Sequence, residues 1–306
     1  MATVAAKVLL ILLPIGLGIA LRALRVFDAR DAEALRAFVI RLALPLLIFF
    51  SAFDSPRGDL VLLPLMAAAA VLVTLGRFVL AWPVTLAGRG RRIRTAMHVS
   101  AALGNYGWLG LGVVQAATGE AGLRRAVFFI MAWWPIFFAS GFAAAGLHQD
   151  GARRPADYRH ALRLAAPAFG ALGLGIAANL LRVPVPGLLQ DALRPMAATA
   201  IPLILFSSGL SLNLAGWRGA WAPALAVSAV ALLGGPLAGW LVSVLLPVDA
   251  LSRTVIILES AMPVAVMSPL LADYIDMDRD VSESAVVLST LAAMATLPLL
   301  LALLGG

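Results

Sequence analysis

The sequence predicts an all-α membrane protein of ten transmembrane helices. They form two inverted five-helix repeats, 1–150 and 151–306, with helices four and nine broken and crossing at the midplane. Three observations carry this: an apolar composition, a copy of the first half inside the second, and helix breakers at matching places in the two copies. Of the 306 residues 62% are hydrophobic and 13% charged, and the mean hydropathy is +0.96, which excludes a soluble domain. The pI near 11.1 does not signal nucleic-acid binding, because the arginines lie in short connectors between apolar runs, where they report orientation. Cysteine is absent, and three histidines without a His-Glu-x-x-His pattern leave little for a metalloenzyme. Neither a catalytic residue nor a nucleic-acid partner is expected.

Hydropathy draws the spans at 4–24, 32–53, 60–82, 95–117, 122–147, 161–181, 190–212, 219–246, 253–274 and 283–304. The first is read as a mature helix, not a secretory signal: its positive n-region is Lys7 alone and no small-x-small cleavage site follows. One set of connectors carries fourteen arginines, among them Arg22, Arg36, Arg89, Arg94 and Arg279, against seven basic residues on the other side. The positive-inside rule therefore puts both termini outside, in what the Arg- and Ala-rich usage suggests is a bacterial inner membrane. Trp82, Trp217 and Trp221 read as interfacial belt residues, and Trp133-Trp134 as deeper ones. Arg77, close to the end of span three, is expected to snorkel to the interface.

The repeat is visible without gaps. At a shift of 157, Gly16-Leu-Gly-Ile-Ala20 recurs as Gly173-Leu-Gly-Ile-Ala177, and Leu24-Arg-Val26 as Leu181-Arg-Val183. Ala43-Leu-Pro-Leu46 likewise meets Ala200-Ile-Pro-Leu203, and Phe49 meets Phe206. Five spans is an odd number, so the second copy must be inverted relative to the first.

At a shift of 159, Gly104 falls opposite Pro263 and Gly110 opposite Pro269. Pro263 lies about ten residues into span nine, ~15 Å deep and near the midplane. It deprives the carbonyl of Glu259 of its helical donor, and Pro269 does the same to Ala265. Two interrupted helices at matching places in inverted halves point to a midplane substrate site. Half-helices resuming near Trp108 and Val264 would offer N–H groups to an anion, and the ends before the breaks would offer carbonyls to a cation.

These residues resemble the auxin efflux carrier family of secondary transporters, whose bacterial members include malonate- and malate-type carriers. The resemblance runs over nearly the whole chain and is carried by Ala43-Leu-Pro45, Gly104-Asn-Tyr-Gly-Trp-Leu-Gly110, Ser260-Ala-Met-Pro263, Ser289-Thr-Leu291 and Thr296-Leu-Pro298. It implies a scaffold of spans 1, 2, 6 and 7, a transport domain of spans 3–5 and 8–10, and a homodimer. Gly112 stands where the family usually has proline, and Val264, Val266 and Met267 where it usually has small polar residues, which favours cargo with an apolar part. A more distant resemblance, to the bile acid–sodium symporters, places Glu259 and Asn105 where a glutamate and an asparagine help to hold sodium.

The expected function is secondary active transport of a small organic anion by alternating access, coupled to protons or sodium, with no other cofactor. The expected substrate-binding residues are Gly104, Asn105, Tyr106, Gly107, Pro263, Val264, Met267, Ser268 and Arg41. Glu259, Asn105 and His98 are the candidates for the coupling proton or ion, with sodium at Glu259 and Asn105. The alternatives are an uncoupled, channel-like uniporter or a sensor, and, further off, an intramembrane hydrolase built on Ser208-Gly209.

Overall fold

The computed structural model describes residues 2–148, 158–212 and 220–304, and their side chains apart from 2–12, 29, 158–162 and 164. The Lys7 side chain and Trp217 thus lie outside the described residues. In chain order the α-helices are α1 (Ala2–Ala23), α2 (Ala29–Phe38), α3 (Leu44–Phe53), α4 (Arg57–Leu60), α5 (Leu62–Thr85), α6 (Arg91–Ala102), α7 (Leu111–Ile130), α8 (Trp133–His148), α9 (Tyr158–Leu180), α10 (Gly187–Ala198), α11 (Ala200–Ser211), α12 (Trp221–Ala229), α13 (Gly235–Leu245), α14 (Ala250–Ser260) and α15 (Arg279–Leu304). Among the described residues there is no strand, only an isolated antiparallel bridge between Gly104 and Val264.

Among the described residues, five stretches are long and apolar enough to cross a bilayer: Arg30–Phe53, Arg57–Thr85, Gly187–Ser211, Trp221–Leu245 and Arg279–Leu304. Tyr106–Ile130 with Trp133–His148, bent by 42°, makes a sixth if taken as one span. The chain is a multi-pass membrane protein. Within α7, Gly119 turns the backbone sharply (φ 69°, ψ −162°), a conformation open to glycine.

Two of the long stretches contain a π turn directly ahead of a proline. Val39–Ala43 joins α2 to α3, whose second residue is Pro45, and Val230–Gly234 joins α12 to α13, whose second residue is Pro236. A proline ring crowds the carbonyl four residues back, and a wider turn lets the helix continue past it. Leu44 N–H accordingly reaches back to the Val39 carbonyl, and Gly235 N–H to that of Val230.

The two halves share local geometry. Arg25 (φ 59°) and Arg182 (φ 55°) both sit in the left-handed region just past α1 and α9. Val26 N–H returns to the Leu21 carbonyl at 2.9 Å, and Val183 N–H to that of Ala178 at 2.9 Å, the same bond 157 residues on. Helix α1 packs on α11 and α9 on α3, with a glycine at each contact: a Cβ on Gly18 would run into the backbone of Phe206 and Leu210, and one on Gly175 into the Phe49 carbonyl. Small residues let helix backbones meet closely in lipid, where apolar burial supplies no drive for association.

Candidate functional site

Helix α6 stops at Ala102, Leu103 is extended (φ −88°, ψ 112°), and helix resumes as a π turn over Tyr106–Gly110 that leads into α7. Helix α14 stops at Ser260, and beyond Pro263 the chain next forms a 3₁₀ turn at Ser268–Asp273. The interruptions lie side by side. Asn105 N–H donates to the Pro263 carbonyl (2.8 Å) and Ala265 N–H to that of Leu103 (2.9 Å), so each break supplies the partners the other lacks. Gly104 is required here, because a Cβ would strike the Tyr106 ring and the Arg77 guanidinium.

The carbonyls that the prolines deprive are not left free. Met262 N–H reaches the Glu259 carbonyl at 3.2 Å, and Ser268 N–H that of Ala265 at 2.9 Å, both tight i+3 bonds. Val264 N–H, expected to face an anion, donates instead to the Ser289 hydroxyl at 3.0 Å. The Trp133 indole N–H takes the Gly104 carbonyl at 3.4 Å.

Arg77 overturns the expectation that it snorkels. It is fully buried, with Nε donating to the Ala101 carbonyl at 2.9 Å and Nη1 to that of Met262 at 3.2 Å. The Ala101 carbonyl is among the last of α6 and that of Met262 lies two residues past α14, so the guanidinium stands near the negative ends of both helix dipoles. An in-built guanidinium thus stands where an external cation was expected. Its position two turns from the end of α5 suggested snorkelling, but Ala70, Thr74, Arg77 and Ala81 recur at helical spacing and all are buried. That stripe was the available signal. Thr74 also meets the Tyr106 hydroxyl at 3.4 Å.

Glu259 and Asn105 converge on the turn after the first break. Leu109 and Gly110 N–H groups both bond to the Asn105 carbonyl at 3.1 Å, and a Cβ on Gly110 would collide with the Glu259 carboxyl. Glu259 is fully buried, and among the described residues neither of its carboxyl oxygens has a hydrogen-bond partner; the Asn105 side-chain oxygen, at 2% exposure, has none there either. An intramembrane carboxyl so placed can take up a proton or a cation.

Tyr106, Val264 and Ser268 are buried, and Ser268 joins Ser100 and Ser282 in a hydroxyl chain (3.0 and 2.9 Å) that ties α6, the span-nine break and α15 together. Gly107 and Met267 line an apolar cavity of about 60 Å³ with Trp108, Ile48, Phe169 and Ile204. A second cavity, of about 300 Å³, touches Val266 and Pro269 and carries Arg22, Arg36, Arg279 and Glu283.

Two expected site residues stand elsewhere. Arg41 is exposed, in the π turn ahead of Pro45, and lines neither cavity. His98 is buried, and its Nε2 faces the Phe78 carbonyl at 2.8 Å, so that nitrogen carries the hydrogen. Its Nδ1 meets His148 Nε2 at 2.9 Å, and none of these bonds leads to Glu259. The Ser208 hydroxyl is spent on the Ile204 carbonyl at 2.8 Å.

The family model described as "Membrane transport protein" matches residues 3–143 and 158–301. The chain belongs to the auxin efflux carrier family of membrane transport proteins. Among its relatives, an uncharacterized transporter of Methanothermobacter thermautotrophicus is 32% identical over 295 residues, 95% of each chain. An uncharacterized transporter of Methanocaldococcus jannaschii is 25% identical over 207 residues, 64% of each chain. The auxin efflux carrier match spans both breaks.

Proposed function

We propose that the protein is a secondary active transporter that carries a small organic anion with an apolar part by alternating access. The observation that carries this reading is the pair of helix interruptions bonded to each other beside the Glu259 carboxyl and the Asn105 side-chain oxygen, buried and without a hydrogen-bond partner among the described residues. The matched caps at Arg25 and Arg182 and the matched glycine contacts support a ten-span, 5+5 inverted repeat in which spans four and nine are the broken pair. In that reading spans 1, 2, 6 and 7 form the scaffold, the remaining spans move, and both cavities lie between the two groups. The N–H groups of the first turn at Tyr106–Trp108 take the carboxylate. The pocket of Gly107, Trp108 and Met267 takes the apolar part. The protein works as a homodimer in a bacterial inner membrane, with both termini outside.

Coupling rests on Glu259, with Asn105 beside it, by proton or sodium. Arg77 favours the proton, since the carbonyls that would complete a cation shell already serve the guanidinium. The test is uptake of labelled phenylacetate into proteoliposomes under an imposed proton gradient or an imposed sodium gradient. The wild type accumulates label under the proton gradient; Glu259→Gln abolishes accumulation while leaving downhill exchange. Equal accumulation by both, with the same pH dependence, sinks the role of Glu259.

A further inference from the structure

The basic cavity beside the crossing has charges that the reading above does not use. Its walls come from two groups of elements. Arg22, at the end of α1, and Arg36, in α2, line it together with Arg279 and Glu283, in the first turns of α15. The cavity floor reaches Val266, one residue from the Ala265 N–H that closes the crossing.

The four charges are unequally committed. Arg22 donates to the Leu210 carbonyl at the end of α11, and Arg279 to Asp273. Arg36 spends only Nε, on the Ala32 carbonyl at 3.3 Å, and both terminal nitrogens of its fork have no hydrogen bond among the described residues. Its acidic neighbour Glu33 lies one turn back on the same helix. Glu283 has neither hydrogen bond nor ion pair there. A free guanidinium fork facing a cavity matches a carboxylate bidentately, which an ammonium cannot do.

We propose that this cavity is an anion-loading station: Arg36 takes the carboxylate of the cargo, and the Glu283 carboxylate on the same lining opposes it. The cargo class is a monocarboxylate with an apolar body, small enough for a cavity of about 300 Å³. Arg36 lies in span two and Glu283 in span ten, which the reading above assigns to the scaffold and to the moving group, so their separation changes as the groups move, and cargo is released from Arg36 as Glu283 approaches. The inference rests on the transporter reading for its purpose, but not for its chemistry.

Calorimetric binding of phenylacetate to the full chain in nanodiscs tests it, with phenylacetamide as the uncharged control. Arg36→Gln weakens phenylacetate about tenfold or more, the effect of a lost charge-assisted pair. Glu283→Gln strengthens it, and neither change affects phenylacetamide. The weakening shrinks between about 0.02 M and about 0.5 M salt. Arg36→Lys retains an intermediate affinity and serves if the Gln variant does not fold. Opposite shifts from two neutralisations cannot come from a merely structural role. Unchanged affinity in both Gln variants, or no phenylacetate binding by the wild type, overturns the proposal. If the shifts appear while wild-type proteoliposomes move no anion, the loading station stands and the transporter reading falls; driven uptake with no shift gives the reverse.

Discussion

Asn179 and Asn105 show two ways in which one membrane protein treats an amide. Asn179, near the end of α9, turns its Nδ2 toward the Phe53 and Ser55 carbonyls at 2.6 and 2.8 Å, with Ala52 further off at 3.3 Å. The neighbouring Arg57 takes the Asn179 and Leu180 carbonyls in return. At Asn105 the side-chain oxygen is buried without a hydrogen-bond partner among the described residues, as are both oxygens of Glu259 and one nitrogen of Arg77. The α9–α3 contact is a satisfied joint that fixes position. The crossing keeps polar groups unspent, and in an apolar interior each costs about 1–3 kcal/mol. Such a cost is tolerated where the unspent group meets a ligand, a proton or a moving part.

The largest expected effect breaks the crossing itself. Arg77→Met removes the guanidinium from between two helix ends and strands the Ala101 and Met262 carbonyls. Two charge-assisted bonds are lost, a cost of about 3 kcal/mol or more, read as a fall in the thermal midpoint of detergent-purified protein and in folded yield. Arg77→Lys recovers part of it. A midpoint within about one degree of wild type for Arg77→Met removes Arg77 from the account of the crossing.

Glycines sharpen the comparison from the other side. Gly16 and Gly173 open the repeated motif and have free space where a Cβ would go; Gly18 and Gly175, two residues on, face the partner helix. Gly18→Ala and Gly175→Ala should each destabilise by about 1–3 kcal/mol through overpacking. Gly16→Ala and Gly173→Ala should stabilise by up to about 1 kcal/mol through helix propensity. Thermal midpoints of the four variants decide it. Unequal effects within either pair would mean that the halves do not share this contact.

What the sequence made legible follows from what each signal measures. Breaker residues and an intramembrane acid stand out against an apolar run, so Gly104, Pro263 and Glu259 could be found from one chain. The breaks interrupt the helices around them, which is why residues 95–117 and 253–274 do not count among the long continuous stretches. Arg77 was misread because distance along a helix says how far a side chain is from water, not which face it occupies. Arg41, singled out for its depth in span two, is exposed in the π turn over Val39–Ala43, because depth along a span does not say which way a side chain faces. The mutual bonding of the two breaks, and Ser289 accepting from Val264, are contacts between distant segments that no local pattern encodes.

A smaller effect separates stability from function at the two asparagines. Asn179→Ala deprives several carbonyls of their donor and should cost about 1–2 kcal/mol, with transport impaired only as far as folded protein is lost. Asn105→Ala removes an oxygen that bonds nothing, so its thermal midpoint should stay closer to wild type while driven uptake disappears. A loss of stability at Asn105 equal to that at Asn179 would make the crossing asparagine a structural joint like the other.

The smallest effect lies at an exposed helix start, where the polar groups are fully spent. Asp28 Oδ1 accepts from the N–H groups of Arg30 (2.7 Å) and Asp31 (3.1 Å), and Asp31 returns the bond to the Asp28 N–H at 2.8 Å. The Asp31 and Arg30 backbone donors hold the Asp28 carboxyl below its ordinary value of 3.8. A group whose folded value is depressed contributes stability above its unfolded value and loses it as pH falls through the folded one. Asp28→Asn keeps a cap acceptor and discards the charge. The thermal midpoint of wild type should therefore lie slightly above that of Asp28→Asn near neutral pH, with the gap closing as pH falls below the ordinary value of 3.8. A gap that stays constant over that range would mean that the charge adds nothing to the cap.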